Sequence, residues 1–370
     1  MEKSKVYFTN LRTTPEMTIL QKLDKLIRKA GIDTIDFKDK FVAIKIHLGE
    51  PGNLAYLRPN YSKVIVDYLK NAGARVFLTD SNTLYVGRRK NGLDHLDAAY
   101  ENGYNPFTTG CHVVIADGIK GTDDVEVPVQ GGEYMQTAKI GRAIMDADIF
   151  ISMSHFKGHE ATGFGGALKN IGMGSGSRAG KMEMHSSGKP KVRASKCRMC
   201  ARCAKVCAHE AVSFDEKGVA SIDHNRCVGC GRCVGMCAFD AVQPSWDEAN
   251  DVLNCKIAEY SKAVLQDRPS FHVSFLIDVS PYCDCHAEND LPVIPDVGMF
   301  ASFDPVAMDI ACADMANRQP VISGSMLDEA GHHHAHDHFA ALHPETNWMS
   351  SIDHAEKLGI GSREYELIEV

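Results

Sequence analysis

The first 155 residues alternate short apolar runs with longer segments whose apolar side chains recur every three to four residues. Short apolar runs are typical of buried β-strands, and the longer periodic segments are typical of amphipathic helices. The strands predicted here are Lys5–Thr9, Phe41–Ile46, Arg75–Thr79, His112–Ala116 and Asp148–Met153. The predicted helices are Pro15–Ala30, Pro59–Asn71, Leu93–Asn102 and Ala138–Ala147. This alternation indicates an α/β fold with a mostly parallel sheet and helices on both faces.

The same alternation resumes after a cysteine-rich stretch. We predict a helix over 247–265, a strand at His272–Ile277, a helix that begins at Asp304 and Pro305, and a terminal helix and strand. Asp304 suits an N-cap, and proline is favoured in the first helical turn. We therefore expect residues 1–188 to form the first part of the α/β body, 189–245 an insert, and 246–370 the remainder of the body. A separate third domain is the alternative for the last segment.

Eight of the thirteen cysteines form two runs of C-x2-C-x2-C-x3-C spacing, thirty residues apart. The runs are Cys197, Cys200, Cys203 and Cys207, then Cys227, Cys230, Cys233 and Cys237. Runs with this spacing hold [4Fe-4S] clusters, and the fourth cysteine of each run ligates the other cluster. The spacing therefore predicts a bacterial-ferredoxin-like insert with two clusters. One is held by Cys197, Cys200, Cys203 and Cys237, and the other by Cys227, Cys230, Cys233 and Cys207.

Two other uses of these cysteines fit the spacing less well. A zinc site needs four ligands and usually shows two CxxC pairs with a longer gap between them. A disulfide framework is typical of short secreted chains, and this chain begins without an apolar signal core. The proline that often follows the fourth cysteine is replaced by Ala208 and Ala238, which removes no ligand.

Composition and charge argue against two classes of partner, nucleic acid and the membrane interior. The net charge of −8 argues against nucleic acid, and no apolar run approaches the roughly 18 residues of a membrane span. Oxygen-sensitive clusters predict a reducing cytoplasm. The segment 157–205 nevertheless holds eleven Lys or Arg and two acids. It either compensates anionic clusters or forms a docking face for an acidic electron carrier, such as a ferredoxin or a flavodoxin-type protein, or for an anionic cofactor.

Polar side chains follow four predicted strands. His47, Asp80 and Asp278 each come directly after one of them, and His155 comes two residues after Asp148–Met153. Because ligands bind beyond the carboxyl ends of parallel strands, we expect a site for a small-molecule substrate at this edge, the crest of the sheet. Histidines there have an unperturbed pKa near neutrality and can supply protons. The predicted catalytic residues are His47, Asp80, His155 and His159.

The segment His155–His185 is rich in glycine, histidine and lysine. Glycines allow backbone amides to approach a ligand closely, and lysines supply charge for an anion. We predict a cofactor or anion loop, with Lys169, Gly165, Gly166 and His185 as the binding residues. A mobile linker to the insert is the alternative.

Further metal ligands are candidates in two places. Cys283, Cys285 and His286 form a CDCH run, which could ligate a metal or could be a packed or redox-sensitive pair. The second place is a histidine tract at 332–338, which we interpret as a solvated loop rather than a metal site. It contains His332, His333, His334, His336 and His338. Cys111, Cys255 and Cys312 lie in apolar surroundings and are predicted to be core residues.

Several stretches resemble the DUF362 iron–sulfur proteins. They are TDSNTLYVGRR, KGHEATGFGGALKNIGMG, the CDCH run, DPVAMD and the ending from HPETNW onward. The resemblance covers nearly the whole chain and implies an α/β body interrupted by a double-cluster module. The segment from His159 to His185 is also similar to nickel-pincer lactate racemase relatives. That likeness implies an acid/base role for His159, a cofactor-anchoring role for Lys169 and nickel ligation by His185.

Three functions fit these observations. The first is an oxidoreductase in which two clusters relay electrons to or from a site at the crest. The second is an electron carrier or assembly factor without turnover of its own. The third is a metal-cofactor isomerase of the pincer type. Neither a GxGxxG fingerprint after an early strand nor a Walker motif is present, so NAD and ATP are not supported.

Overall fold

The computed structural model describes residues 3–85, 87–185, 189–245 and 248–370. Within these ranges the strands are β1 (Ser4–Asn10), β2 (Phe41–Ile46), β3 (Arg75–Asp80), β4 (His112–Ile115), β5 (Asp124–Pro128), β6 (Thr137–Gly141), β7 (Ile149–His155), β8 (Lys157–His159), β9 (Gly163–Gly165), β10 (Pro190–Val192), β11 (Val212–Phe214), β12 (Ala220–Ile222), β13 (Val242–Pro244), β14 (Ser270–Leu276), β15 (Gly298–Ser302) and β16 (Tyr365–Glu369).

The α-helices in the same ranges are α1 (Ile19–Lys29), α2 (Pro59–Asn71), α3 (Gly92–Glu101), α4 (Pro106–Thr109), α5 (Arg142–Met145), α6 (Ala167–Ser175), α7 (Arg178–His185), α8 (Arg202–Lys205), α9 (Arg232–Met236), α10 (Asn250–Leu265), α11 (Pro305–Asn317), α12 (Met326–Glu329), α13 (His338–Leu342) and α14 (Met349–Lys357). Short 3-10 helices lie at Ile32–Thr34 and Ala194–Lys196. Each of these helices is too short or too polar to cross a lipid bilayer.

An eight-stranded sheet organises the body, in the order β16-β1-β15-β14-β7-β2-β3-β4. All neighbouring strands pair in parallel except β15, which is antiparallel to both β1 and β14. The predicted α/β fold with a mostly parallel sheet is therefore confirmed. The chain moves from β2 to β3 and β4 on one side, and from β7 to β14 on the other. The strand order thus reverses between β2 and β7, where open α/β sheets bind ligands.

Helices cover both faces of the sheet because successive strand residues point to opposite sides. In β7, Ile151 packs into one core cluster with α1 and α2, which contribute Leu26 and Ile65. The neighbouring Phe150 packs into the opposite cluster with α6, α10 and α11, to which Ile257 of α10 belongs. The continuous apolar runs of the central strands therefore reflect burial on both faces.

Two predicted elements differ from the structure, and one strand of the large sheet was not predicted. The helix expected over Ala138–Ala147 is wrong for its first half, because β6 there alternates buried and partly exposed residues and pairs with β5. The first helix begins at Ile19 instead of Pro15, since Thr18 is its N-cap and accepts a hydrogen bond from the Gln21 amide. Strand β15 was not predicted. Its first residue is glycine, which is depleted in strands.

The cysteine-rich segment repeats its backbone conformation every thirty residues. Short helices α8 and α9 occupy equivalent positions, and the antiparallel pair β10–β13 and the hairpin β11–β12 frame them. Left-handed residues recur in register: Met199, Ala201 and Glu210 have φ of 54°, 57° and 48°, and Gly229, Gly231 and Asp240 have φ of 73°, 69° and 51°. Both predicted boundaries of the insert adjoin residues outside the described ranges, 186–188 and 246–247, and the division into 1–188, 189–245 and 246–370 stays a prediction.

Candidate functional site at the crest of the sheet

A cavity of about 780 Å³ lies beyond the carboxyl ends of β2, β3 and β7. Eleven residues that the sequence singled out line this one cavity: His47, Asp80, His155, His159, Gly165, Gly166, Lys169, His185, Cys283, Cys285 and His286. Asp278 is not among its lining residues, and its carboxylate lies 3.4 Å from the Arg58 guanidinium. The fold thus brings residues separated by more than 200 positions to one place.

Asp80 is the centre of a buried ion-pair network at the end of β3. Its carboxylate lies 2.9 Å from Lys45 Nζ and 3.6 Å from Arg89 Nη1. Burial alone would raise the pKa of Asp80, but the neighbouring Lys45, His47, His95 and Arg89 hold it well below its ordinary value. Asp80 is therefore a charged group that fixes two cations in the cavity wall.

Arg89 is almost fully buried and connects several wall residues. Its Nε donates to Glu50 Oε2 at 2.8 Å, its Nη2 donates to the Tyr85 hydroxyl at 3.0 Å, and its Nη1 lies 2.9 Å from His47 Nε2. Burial and the guanidinium of Arg89 lower the pKa of His47 well below its ordinary value. His47 is therefore a neutral imidazole in this wall, and the pattern of charges around it is fixed before any ligand binds.

His155 holds the loop that carries the two cysteines. Its Nδ1 lies 2.9 Å from Asp284 Oδ2, and its Nε2 lies 2.8 Å from the Ile277 carbonyl oxygen. Lys157 Nζ lies 3.5 Å from the same carboxylate. Burial would raise the pKa of Asp284, but His155 and Lys157 lower it. Both ring nitrogens of His155 are thus engaged within the protein.

Cys283, Cys285 and His159 form a compact group of ligand-type side chains. Their ligand atoms all lie within 4.8 Å of one another, so the group could hold a metal ion. Lys169 Nζ lies 3.5 Å from Cys283 Sγ. A hydrogen bond from Cys285, together with Lys169 and Lys157, lowers the pKa of Cys283 well below its ordinary value.

His286 is turned away from this group, although it directly follows Cys285. Its Nε2 lies 2.9 Å from Glu160 Oε1, and this hydrogen bond raises the pKa of His286. Among the described residues, His159 is therefore the histidine that the fold places beside both thiols. The metal role predicted for Cys283, Cys285 and His286 stays a prediction.

Two lysines and a histidine, Lys169, Lys181 and His185, lie together in the cavity wall. Burial would lower the pKa of Lys169, but Cys283 and Cys285 raise it. Burial lowers the pKa of Lys181 to about 8, and its Nζ donates to the Gly176 carbonyl oxygen at 2.7 Å. Burial, with Lys169 and His159 nearby, lowers the pKa of His185 to about 3. This combination of ammonium groups and a neutral imidazole suits an anionic ligand.

Helix α6 is placed by hydrogen bonds to both neighbouring strands. Asn170 Nδ2 donates to the Lys45 and Met153 carbonyl oxygens at 3.2 and 3.0 Å. At the start of the helix, Asp309 accepts the Ala167 and Leu168 amides at 2.6 and 2.9 Å. The first amides of α6 are thus satisfied by a side chain of α11, which leaves Lys169 of the same helix to face the cavity.

The glycine-rich segment is mostly helical, which corrects the expectation of a loop or a mobile linker. A Cβ on Gly172 would lie 2.2 Å from the Ile257 carbonyl oxygen of α10, and one on Gly166 would lie 2.3 Å from Asp309. One on Gly174 would lie 2.5 Å from Lys45 Nζ. Gly165 is different, because an added Cβ would find its nearest neighbour at 3.4 Å. Most of these glycines therefore permit close packing around the cavity.

The eight cysteines of the two runs line two separate cavities in the repeated segment. One cavity is lined by Cys207, Cys227, Cys230 and Cys233, and the other by Cys197, Cys200, Cys203 and Cys237. Backbone amides point at the fourth cysteine of each run: Ala211 N lies 3.3 Å from Cys207 Sγ, and Ala241 N lies 3.2 Å from Cys237 Sγ. Each group of four combines three cysteines of one run with the last cysteine of the other.

Arg178 connects the body with this segment at the first residue of α7. Its side chain lies against Gly121 of the body and against Gly231 and Gly235 of the segment, and its Nη1 donates to the Lys120 carbonyl oxygen. Its Nε and Nη2 are buried without a hydrogen-bond partner among the described residues. Beside Arg178, a cavity of about 630 Å³ is lined by four cations and, within the described chain, no acid: Lys120, Arg178, Lys205 and Arg232.

The histidine tract does not bring three ligand atoms together in the described chain. His333 Nδ1 lies 2.8 Å from Asp328, and His338 Nε2 lies 3.0 Å from the Gln319 carbonyl oxygen. Cys111 and Cys312 are buried, as predicted for core residues, whereas Cys255 is only half-buried.

Sequence reasoning missed several wall residues. Lys45, Glu50 and Arg89 line the cavity, but none was predicted to do so. Lys45 had a signal, because a lysine inside the apolar run FVAIKI must have a buried partner. Arg89 lies in the stretch TDSNTLYVGRR, but nothing in its spacing distinguishes it from Arg88, which pairs with the exposed Glu101.

Eight chains of solved structures match this chain, including the following two. The lactate racemase apoprotein from Thermoanaerobacterium thermosaccharolyticum is 11% identical, with a TM-score of 0.38, and the match covers 74% of this chain and 51% of that protein. A structural-genomics protein from Thermotoga maritima is 13% identical, with a TM-score of 0.40, and the match covers 80% and 57%. The chain thus spans little more than half the length of each.

None of the curated proteins compared with the chain matches it. The family comparison, by contrast, gives a match over residues 42–314, which includes strands β2 to β15, the crest cavity and the repeated cysteine segment. This match covers well over half of the 370 residues. The chain belongs to the DUF362 family, which is described as a domain of unknown function.

Proposed function

We propose that the chain is an iron–sulfur redox protein with two [4Fe-4S] clusters and a site for an anionic small molecule at the crest of the sheet. In this proposal it is an oxidoreductase or a reductase component, and the crest is where its small-molecule substrate binds. Clusters of this kind supply single electrons. The alternative of an electron carrier without turnover shares the clusters but not the ligand site.

The observation that carries the proposal is the grouping of the cysteines around two cavities. Bacterial modules of this spacing place the fourth cysteine of each run on the other cluster. The two cysteine groups in this structure follow the same crossed pattern, at Cys207 and Cys237. A packed thiol cluster or a zinc pair would not require two crossed groups of four. The amides of Ala211 and Ala241 add hydrogen bonds of the kind that tune cluster potentials.

The crest residues support binding of an anion and movement of a proton. Lys169 and Lys181 supply positive charge, and Gly165 lies beside the Lys169 side chain. His159 accepts the Ala161 and Thr162 amides at its Nδ1, at 3.0 and 3.2 Å, which fixes the ring against the thiols. We assign proton transfer to His159 and ligand binding to Lys169 and His185. His155 has a positioning role.

Iron analysis tests the cluster part. After anaerobic purification, we expect about eight irons and eight acid-labile sulfides per chain, with broad visible absorption that bleaches on reduction. The Cys230→Ser variant should lose about half of the iron, whereas Cys255→Ser, outside the two runs, should keep all of it. A colourless anaerobic protein without iron would refute the proposal.

Ligand binding tests the crest part separately. Lys169→Ala should lose any anionic molecule that copurifies with the wild type or binds to it, and its iron content should not change. Lys63→Ala is the matched control, because Lys63 is half-exposed and pairs with Asp67 on α2. If Lys169→Ala lost iron and ligand together, the crest and the clusters would not be separate sites.

A second candidate function is favoured by one observation. His159, Lys169 and His185 line the same cavity, as an isomerase of the nickel-pincer type would need. Stoichiometric nickel that is lost in His185→Ala but retained in His333→Ala would favour this function over the redox proposal. Iron without nickel would favour the redox proposal.

The proposed partner is an acidic electron carrier of the ferredoxin or flavodoxin type, in the cytoplasm. Lys120, Lys205 and Arg232 form a basic surface beside the group that contains Cys207. Because opposite charges mainly accelerate encounter, replacing Lys205 and Arg232 by Glu should slow reduction by such a carrier, with the largest effect at low salt. An unchanged rate would rule out this surface as the docking face.

A further inference from the structure

We infer that Cys283 and Cys285 form a redox-active dithiol at the crest, which interconverts with a disulfide. The inference concerns two thiols outside the runs of eight, and it does not require the clusters to be present. It would give the crest a two-electron group of its own, whereas iron–sulfur clusters exchange electrons singly.

The loop geometry keeps the two sulfurs together. Both sulfurs lie within the group of atoms that are at most 4.8 Å apart. The His286 amide donates to the Cys283 carbonyl oxygen at 3.0 Å, which closes a tight turn around Asp284. The Asp284 side chain is held by His155, and its carbonyl oxygen accepts the Glu50 amide at 3.1 Å. The turn is therefore anchored from both sides, and the pair remains close in either redox state.

Positive charge beside Cys283 favours a thiolate over bound metal. Lys169 Nζ lies 3.5 Å from the sulfur, and Lys157 lies close by through Asp284. A divalent cation at the same sulfur would be repelled by both ammonium groups. His159 is also unsuited as the third ligand, because its Nδ1 accepts two backbone amides. A metal-bound imidazole instead donates its other N–H to an acceptor.

The step balances with a one-electron carrier as the reductant. Two equivalents of the reduced carrier break the S–S bond and place two electrons on the sulfurs. One proton is taken up by Cys285, and Cys283 remains a thiolate beside Lys169. In the reverse direction the S–S bond forms, one proton leaves Cys285, and two electrons pass to oxidised carriers or to a two-electron acceptor in the cavity.

Thiol mapping of the holoprotein tests the inference. The anaerobically purified chain is equilibrated in mixtures of reduced and oxidised dithiothreitol, quenched with acid, alkylated and digested. We expect Cys283 and Cys285 to change together, with a single midpoint. The reduced form gives a peptide with two alkylated thiols, and the oxidised form gives a peptide without alkyl groups that is two hydrogens lighter than the free dithiol. Cys255 and Cys312 should stay alkylated throughout.

The Lys169→Met variant tests the role of the charge. Loss of the ammonium group should destabilise the reduced form about tenfold relative to the disulfide, which lowers the midpoint by about 30 mV. Lys63→Met, on the exposed face of α2, should leave the midpoint unchanged. An unchanged midpoint in Lys169→Met would show that the charge of Lys169 does not stabilise the reduced form of the pair.

Two results would overturn the inference. One is full alkylation of both thiols even in the most oxidising mixture. The other is a metal other than iron, bound stoichiometrically and lost in both Cys283→Ser and Cys285→Ser. Iron and sulfide are measured on the same samples, so failure of the cluster proposal and failure of the dithiol are read separately.

Discussion

Buried charges define the crest cavity at the scale of single residues. Lys45, Asp80 and Arg89 are each almost completely buried, and they compensate one another across three segments of chain. Gly87 belongs to this arrangement, because a Cβ there would lie 2.6 Å from Glu50, the carboxylate that holds Arg89. Groups fixed in this way need little rearrangement when a ligand binds, which is the advantage of a preorganised site.

Replacing Asp80 by Asn should strongly destabilise the protein. The change leaves Lys45 and Arg89 buried without their shared counter-charge, and breaking a buried pair costs about 3–5 kcal/mol. The matched control is Asp24→Asn, which removes an exposed pair with Arg28 that is worth less than about 1 kcal/mol. Urea unfolding of the three proteins measures the difference, and equal midpoints for both variants would contradict the role of Asp80.

Helix α6 is the element that joins the cavity to the core. Asn170 attaches it to β2 and β7, Asp309 attaches its first turn to α11, and Gly172 lets it pack closely on α10. The position of Lys169 therefore depends on contacts made by the other faces of the same helix.

Gly172→Ala should destabilise the protein much more than Gly165→Ala, although both glycines lie in the same segment. The new Cβ at position 172 would meet the Ile257 backbone at 2.2 Å, so the helices must separate at a cost of about 1–3 kcal/mol. At position 165 the nearest atom is 3.4 Å away, and stability should change little. Thermal unfolding under anaerobic conditions distinguishes them, and similar losses would mean that close packing of α6 on α10 is not required.

Asp309 should make stability depend on pH. Burial raises the pKa of Asp309 to about 7, well above the ordinary aspartate value of about 4. The folded chain thus binds this proton more tightly, so the contribution is complete below about pH 4 and is lost as the pH rises through about 7. The unfolding free energy of the wild type, relative to Asp309→Asn, should therefore fall between pH 5 and pH 8. Urea midpoints at both pH values measure it, and a constant difference would contradict the shift.

The strands of the sheet could be predicted where apolar runs are long, as for β2, β3 and β7. Strand β6 could not, because Ala138 and Ile140 fit an alternating pattern as well as a helical one over so short a stretch. Only pairing with β5 decides between them. Strand β15 was missed because its short run begins with a glycine, and because one of its two pairing partners, β1, is far away in the chain.

The whole molecule combines a large sheet with a small cysteine-rich segment of little regular structure. The strands of that segment have three residues each, and its helices have four or five. Its apolar core is one small cluster that also contains Leu84 and Met182 of the body. So small a core cannot by itself offset the loss of chain entropy on folding.

The proposed clusters should hold this segment folded, so removal of their iron should unfold residues 189–245 while the sheet stays folded. Because metal binding in such segments is also folding energy, chelation should lower amide protection there by at least about a hundredfold. Protection in β2, β7 and β14 should remain. Hydrogen exchange followed by mass spectrometry measures both regions in one sample, and unchanged protection of the segment would show that it folds without metal.

Part of the candidate site could be predicted because some of its residues are marked by local sequence patterns. Polar residues at strand ends, and cysteines at fixed spacing, have local signals that survive in the sequence. His47, Asp80 and His155 were found in this way. Arg89 reaches the cavity only through the placement of the loop after β3. His159, and not His286, lies beside the thiols because of turns that the chain order does not reveal.

The reversed direction of β15 has a consequence for how this family can diversify. Because β14 ends at the crest and β15 starts there, the connection that carries Cys283 and Cys285 leaves and rejoins the same edge. Lengthening or shortening such a loop costs little and leaves the registers of the strands intact. Relatives could therefore carry different side chains at this position of the cavity while keeping the same α/β body.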